Sequence, residues 1–275
     1  MLGLARDRRT KIIALALPII LGMMSQTVLN LVDTLMVSSM GTKAISAVGF
    51  GGFANFLGIS FVTGMSAGVQ AIASRRKGEG RDSETAVALN GGLILVACIA
   101  IPLSIALIWI VPYFFPLLST DPEVVEIGVP YLRLRLVAMV AIGANFAFRG
   151  YWNGVDKSKL YLRSLLVMHV CNVCISYVLI FGKFGAPAMG ANGAAIGTAA
   201  AAYIGMIYYF SQGLRHARDA GFLRGLPSRE TLVSMLRLSI PSGLQSLFFA
   251  AGLTTMLTIV DRIGTSETAA VNVLI

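Results

Sequence analysis

The sequence predicts an all-α integral membrane protein, folded as a polytopic helical bundle. Hydrophobic residues make up 56% of the chain and charged residues only 13%, against about 25% charged residues in soluble domains. The mean hydropathy is +0.78. The apolar residues are gathered into stretches long enough to cross a bilayer, and a stretch near the start of the chain is repeated near its end. Together these observations exclude an ordinary soluble domain.

Seven apolar stretches are long enough to span a membrane, which takes about 20 residues. The basic N-terminus followed by an apolar run also fits a secretory signal, but a signal would leave the later stretches unexplained. The first span is therefore predicted to be retained. We predict transmembrane helices over residues 12–38, 45–74, 86–118, 128–149, 160–182, 190–213 and 232–260, and an eighth helix that begins near Ala269.

Lysine and arginine are divided unevenly between the loops. If the N-terminus is cytoplasmic, most of them fall on the cytoplasmic side, and the outside keeps Lys43, Arg133, Arg135, Lys183 and Arg262. This bias follows the positive-inside rule and predicts a multi-pass protein of the plasma or inner membrane. It also accounts for the net charge of +9 without a nucleic acid partner, since basic loops suit anionic lipid headgroups.

Several function classes find no support in the sequence. No G-x-x-x-x-G-K-[ST] motif offers a nucleotide site, and His169 with Cys98, Cys171 and Cys174 does not make a four-ligand zinc site. We expect these cysteines to be buried as small apolar residues. An intramembrane enzyme would need a convergent catalytic constellation, which is not visible. The sequence therefore predicts no enzyme, no metal, no nucleotide and no organic cofactor.

The chain also repeats itself. Residues 18–48 align without a gap with residues 241–271, and the matches include Pro18 with Pro241 and a shared Gly-Thr pair. An even number of predicted spans separates the copies, so both run in the same direction; duplicated bundles of this kind are typical of transporters. The spacing of Leu and Phe in the connecting segment is compatible with an interfacial amphipathic helix. The repeat predicts a complete six-helix lobe over 1–213, a cytoplasmic linker over 214–231, and the start of a second lobe over 232–275.

Three segments resemble the multidrug and toxic compound extrusion (MATE) family: ALPIILGMMSQTVLNLVDTLMVSSMGTKAISAVGF in the first two spans, the loop FRGYWNGVDKSK, and CNVCISYVLIFGKFGAPAMGANGAAIGT in spans five and six. The resemblance covers essentially the whole chain. It implies twelve helices in two pseudosymmetric lobes, of which about seven or eight are present, so we expect the chain to be a fragment. It also implies a monomeric transporter that exports drug-like, often cationic and amphipathic compounds in exchange for H⁺ or Na⁺ by alternating access.

A single acid lies deep in the predicted membrane region. A charged aspartate at the centre of a membrane helix costs about 2.5–3.5 kcal/mol, and the resemblance implies that Asp33 binds the coupling ion. Burial disfavours a charged carboxylate and a bound cation favours it, so Asp33 can alternate between a protonated form and a bare or sodium-bound form. The alternative is an aspartate that only hydrogen-bonds neighbouring helices.

Two polar stripes, in spans one and five, are predicted to enclose a small wet cavity. Gln26, Asn30 and Asp33 share one helical face of span one, which is expected to look into the bundle, and His169, Asn172 and Ser176 form the stripe of span five. The resemblance implies that Asn172 is a ligand of the coupling cation. Ser176 and Ala250, however, replace acids that some family members carry. Pro18 either bends the first helix or is an ordinary proline of its first turns. The candidate ion-coupling residues are Asp33, Asn30 and Asn172, and the candidate cavity-lining residues are Met23, Gln26, Thr34, His169 and Ser176.

Two rival functions remain at the level of the sequence. A lipid-linked oligosaccharide or polysaccharide flippase of the same superfamily would need cationic residues in its cavity to hold a pyrophosphate, and we expect no Arg or Lys in the middle of a span. The second rival is a structural or receptor protein that transports nothing. The abundant glycine contacts fit lobes that move against each other better than they fit such a protein. Gly64-x-x-x-Gly68 and Gly193-x-x-x-Gly197 are predicted to be close helix contacts.

Overall fold

The computed structural model describes residues 6–264, 267 and 270–271, and the side chains of these residues except 6–8 and 11. In this part the chain forms helices and turns without a strand, which confirms the predicted fold class. Two short 3₁₀ turns, Asp82–Glu84 and Phe115–Leu117, flank the fourth helix. The α-helices are α1 (Arg6–Ser38), α2 (Thr42–Thr63), α3 (Met65–Gly78), α4 (Thr85–Phe114), α5 (Pro122–Val137), α6 (Met139–Gly154), α7 (Ser158–Phe181), α8 (Ala191–His216) and α9 (Arg229–Asp261).

Each of the seven predicted spans has a counterpart in these helices. Helices α1, α4, α7, α8 and α9 are each long and apolar enough to cross a membrane, and α2 with α3 forms one stretch, Thr42–Gly78. The α5–α6 pair passes the same test only as a unit bent by 49°. The prediction 128–149 began too late, because Asp121 caps α5: its Oδ1 accepts a hydrogen bond from the Glu123 N–H at 3.0 Å. The predicted eighth helix near Ala269 falls largely on residues that the structure does not describe.

The break between α5 and α6 is held from both sides. It falls at Ala138. The Ser104 hydroxyl on α4 donates to the Leu136 carbonyl at 2.8 Å, and the Tyr203 hydroxyl on α8 donates to the Val137 carbonyl at 2.9 Å. Two neighbouring helices therefore supply hydrogen bonds to the carbonyls beside the bend.

Close helix contacts form at both predicted small-residue motifs. A Cβ atom at Gly193 would lie 2.6 Å from the backbone of Leu179, and one at Gly197 would lie 2.8 Å from the Ser176 nitrogen, so α7 and α8 touch backbone to backbone. A Cβ at Gly64 would lie 2.6 Å from the Ser239 carbonyl oxygen. The motif that begins at Gly64 therefore makes the expected close contact, and its partner is α9, which packs along α2 and α3.

The linker after α8 forms turns from Ala217 on, so the suggested amphipathic helix is wrong there. Two of its residues, Gly221 (φ 95°) and Leu223 (φ 57°), have left-handed backbones that a helix does not accommodate. Asn90 of α4 fixes these turns: its side-chain amide donates to the Gly221 carbonyl at 2.9 Å, and its Oδ1 accepts from the Leu223 N–H at 3.0 Å. Phe222 is fully buried against Phe148.

The cysteines do not follow the expectation of burial. Cys98 and Cys174 are exposed on the outer faces of their helices and Cys171 is half-buried; all three are free thiols. A small apolar thiol is compatible with a lipid-facing position, so hydrophobicity alone did not decide which face it takes.

Replacing Gly197 by alanine is expected to lower the thermal unfolding temperature of the purified protein in detergent. The added methyl group meets the backbone of α7, and overpacking of this kind costs about 1–3 kcal/mol. Gly252 of α9 is the matched control, since a Cβ there meets no atom within 4 Å and alanine favours a helix by up to about 1 kcal/mol over glycine. Equal unfolding temperatures for the two variants would contradict the close α7–α8 contact.

Candidate functional site

Helix α1 carries the predicted acid near one of its ends. The helix runs without interruption through Pro18, and Asp33 lies five residues before its last residue, Ser38. Pro18 is buried but does not break the helix, so a functional bend there stays a prediction. Asp33 is half-buried, whereas Gln26 and Asn30 on the same face are exposed.

The polar face of α1 is tied together by side-chain hydrogen bonds. The Gln26 amide donates to Asn30 Oδ1 at 3.0 Å, and Gln26 Oε1, which can only accept, lies 3.2 Å from His169 Nε2 on α7. The Thr34 hydroxyl donates to the Asn30 carbonyl at 2.8 Å. His169 is thus connected through Gln26 to Asn30, one turn from Asp33.

The stripe predicted on α7 divides between two neighbours. Asn172 (2% exposed) and Ser176 (1% exposed) point toward α8. The Asn172 amide donates to the Thr198 hydroxyl at 3.1 Å, and Ser176 lies against Gly197. Of the hydrogen bonds that these three side chains form among the described residues, only that of His169 reaches α1, and the cavity enclosed by the two stripes stays a prediction. The ion-coupling role of Asn172 stays a prediction.

A cavity of about 500 Å³ lies on the side of Asp33 that faces α2, α5 and α9. Asn30 and Thr34 join Asp33 in its wall, but Met23, which is 60% exposed, lies outside it. The rest of the lining is mostly apolar, includes two glycines, and comes from Val37 of α1 and from the three other helices. These residues are Val37, Ile45, Val48, Gly49, Gly52, Phe53, Phe56, Tyr131, Arg135, Phe249 and Leu253.

The Asp33 carboxylate has an unsatisfied oxygen in this wall. Its Oδ1 is buried and accepts no hydrogen bond from the groups that the structure describes. A buried oxygen without a donor is unfavourable, and an ionised carboxylate is an acceptor only. A proton, or a hard cation that prefers oxygen ligands, would complete it. Within the described residues, no group of three or more His, Cys, Asp or Glu side chains could hold a metal ion.

Arg135 is the residue of the site that sequence reasoning missed. It was predicted to lie outside the membrane, yet its side chain lines the cavity and interacts electrostatically with Asp33. It lies three residues before the break at Ala138, near the middle of the bent α5–α6 unit. The expectation of no arginine in the middle of a span is therefore wrong. A signal was available, since Arg135 falls inside the predicted span 128–149.

Fold and site together define a polytopic helical membrane protein with a largely apolar cavity among its helices that contains one carboxylate and one guanidinium, an architecture that membrane transporters share. The MatE family model matches residues 18–178 of the chain. The chain belongs to the MatE family.

Characterised relatives agree with this assignment. The multidrug resistance protein MdtK of Yersinia pestis (strain Pestoides F) is 26% identical over 242 residues, which are 86% of this chain and 53% of the relative. The chain thus spans about half the length of the curated relatives it matches.

Solved transporter structures share the fold. A multidrug resistance MATE family transporter in its outward-facing conformation superimposes with a TM-score of 0.82 at 24% identity, over 95% of this chain and 58% of that one. A MATE protein in complex with Br-NRF gives a TM-score of 0.74 at 25% identity, over 95% and 60%.

Occupation of Asp33 by H⁺ or Na⁺ is expected to stabilise the protein. A ligand at about 100 times its Kd adds about 2.7 kcal/mol to the free energy of unfolding, so the thermal unfolding temperature should rise by a few degrees when NaCl replaces choline chloride or when the pH is lowered. Asp33→Asn should abolish the response to the ion that binds. The control is Asp219→Asn, at an exposed acid of the linker. An Asp33→Asn variant that responds to both ions as the wild type does would exclude Asp33 as the site.

Proposed function

We propose that the chain forms part of a secondary active exporter of drug-like organic compounds, driven by exchange for H⁺ or Na⁺. The observation that carries this proposal is the Asp33 carboxylate, which lines a cavity of about 500 Å³ and has one buried oxygen without a donor among the described residues. An acid of this kind within a membrane span is rare and usually functional.

Cation arrival at Asp33 changes the charge of the cavity. With Asp33 ionised, the cavity attracts the cationic group of an amphipathic compound. Once a proton or sodium ion neutralises the carboxylate, this attraction is lost, and the equilibrium between inward-open and outward-open lobes shifts toward release. The hydrogen bond between the Gln26 and Asn30 side chains keeps the polar face of α1 in a fixed arrangement for this step.

The α7 residues take a different part in this proposal. Asn172 and Ser176 act through the α7–α8 contact, because they lie outside the cavity wall and against α8. His169 acts through its contact with Gln26 on α1. The first contact fixes α7 against α8 and the second joins α1 to α7, so together they set the direction in which Asp33 points.

The relatives support the substrate class. MdtK is named a multidrug resistance protein, and a solved MATE protein was obtained with the small molecule Br-NRF. The proposed protein works as a monomer in the inner or plasma membrane, with its N-terminus in the cytoplasm, and uses no nucleotide, nucleic acid or organic cofactor. Because the chain spans about half of these relatives, the transport activity is proposed for the full-length protein.

The presence of Arg135 in the cavity does not favour the alternative function, a flippase. A lipid-linked pyrophosphate carries more than one negative charge and calls for several cationic groups. The cavity offers one guanidinium, from Arg135, beside the opposing charge of Asp33. The summed charge of these two groups is zero, which fits a drug-like amphipath better than a pyrophosphate.

Asp33→Asn is expected to abolish drug efflux from cells that express the full-length gene. Loss of the coupling acid removes the free energy that the ion gradient contributes, so efflux should fall to the level of cells that lack the gene. Efflux should be compared with the proton and sodium gradients collapsed separately, because the gradient whose loss stops the wild type identifies the ion.

The control for this experiment is Asp219→Asn, which removes an acid from the exposed linker and should leave efflux unchanged. Membrane levels of each variant are compared by immunoblotting. Normal efflux by Asp33→Asn at normal membrane levels would exclude Asp33 as the coupling residue.

A further inference from the structure

A second charged group in the cavity has no part in the coupling step described above. Arg135 lines the same wall as Asp33, and none of the ion pairs among the described residues involves it. We propose that Arg135, supported by Tyr131, is an anion subsite that binds the carboxylate of a zwitterionic substrate whose cationic group faces Asp33. This inference rests on the proposed export function and names the substrate class of the same cavity.

The Arg135 side chain is available for such a ligand. Its Nε atom is buried and donates no hydrogen bond to the groups that the structure describes. A guanidinium presents its N–H groups in a planar fork that matches the two oxygens of a carboxylate. A carboxylate from a substrate would therefore satisfy a donor that the protein itself leaves unpaired.

Tyr131 holds this guanidinium in position. It lies one turn before Arg135 on α5, and the Arg135 Cζ atom is 5.9 Å from the centre of the Tyr131 ring, within the range of a cation–π contact. Tyr131 is itself 3% exposed. It fits against α2 only because residue 51 is glycine, where a Cβ would lie 2.5 Å from the ring. The subsite is thus supported by two helices rather than by one flexible side chain.

The two opposite charges select among amphipathic compounds. A purely cationic compound would be attracted by Asp33 and repelled by Arg135, whereas a zwitterion finds a partner for each of its charges. Discrimination by a repulsive group is as effective as discrimination by an attractive one. The apolar body of the ligand would rest on Phe53, Phe56 and Phe249, which line the same cavity.

The arrangement is compatible with exchange for a cation. While Asp33 is ionised, both charged groups of the cavity, Asp33 and Arg135, bind the zwitterion. When H⁺ or Na⁺ neutralises Asp33, the substrate amine loses its partner and only the contact with Arg135 remains. Binding is thereby weakened at the step where release is required.

The test compares one ligand pair on the purified full-length protein in detergent. Norfloxacin carries a carboxylate and a protonated amine at neutral pH, and its ethyl ester keeps the amine but lacks the carboxylate. The wild type should bind norfloxacin at least about tenfold more tightly than the ester, the effect of one charge-assisted hydrogen-bonded pair. Arg135→Gln should abolish this preference, and Arg135→Lys should restore part of it because the charge remains without the fork.

Arg133→Gln is the matched control. Arg133 lies on the same helix, is exposed, and donates to the Ile108 carbonyl at 3.1 Å outside the cavity, so its loss should leave the preference intact. Size-exclusion profiles of all variants report folding, and the comparison of acid with ester in the wild type needs no variant at all.

Each outcome decides the proposal. A wild type that binds both ligands equally, or binds neither, overturns it, and so does an Arg135→Gln variant that keeps the preference or weakens both ligands by the same factor. Failure of the proposed export function can be distinguished from failure of the anion subsite. The wild type would then still bind norfloxacin in preference to the ester, but proteoliposomes with an imposed proton or sodium gradient would not transport it.

Discussion

The absence of water in the hydrocarbon core is the constraint on which the structure depends. Each backbone group must find its partner inside the protein, which explains why the described chain is helical and agrees with the hydrogen bonds that Ser104 and Tyr203 donate to the carbonyls beside the break at Ala138. Polar side chains follow the same rule, as Asn90 does at the linker. Several buried side-chain atoms in the described part of the chain find no such partner, and two of them, an oxygen of Asp33 and a nitrogen of Arg135, belong to oppositely charged groups that line one cavity.

The fold was readable from the sequence because membrane spans are defined by length and hydrophobicity, which are local properties. The glycine motifs also identified real contacts, although the sequence did not reveal that Gly64 would meet α9. The direction of a side chain around a helix is not local. Asn172 was predicted to face α1 and instead meets Thr198 on α8, because three helices compete for α7 and periodicity alone does not rank them.

Arg135 shows the same difficulty in a more consequential form. Counting charges by loop assigned it to the outer surface, since arginine usually marks the end of a span. The α5–α6 unit begins at Pro122, earlier than predicted, and this moves Arg135 inward by about two turns of helix. A modest error in one boundary therefore changed the inferred charge of the cavity, and with it the compounds that the cavity suits.

The break at Ala138 has a mechanical consequence. The helix before the break, α5, carries the Arg135 guanidinium. The two hydroxyl groups that hold the bend belong to Ser104 of α4 and Tyr203 of α8. The groups that hold the bend, and with it the direction of the helix that carries the Arg135 guanidinium, therefore lie outside the cavity wall.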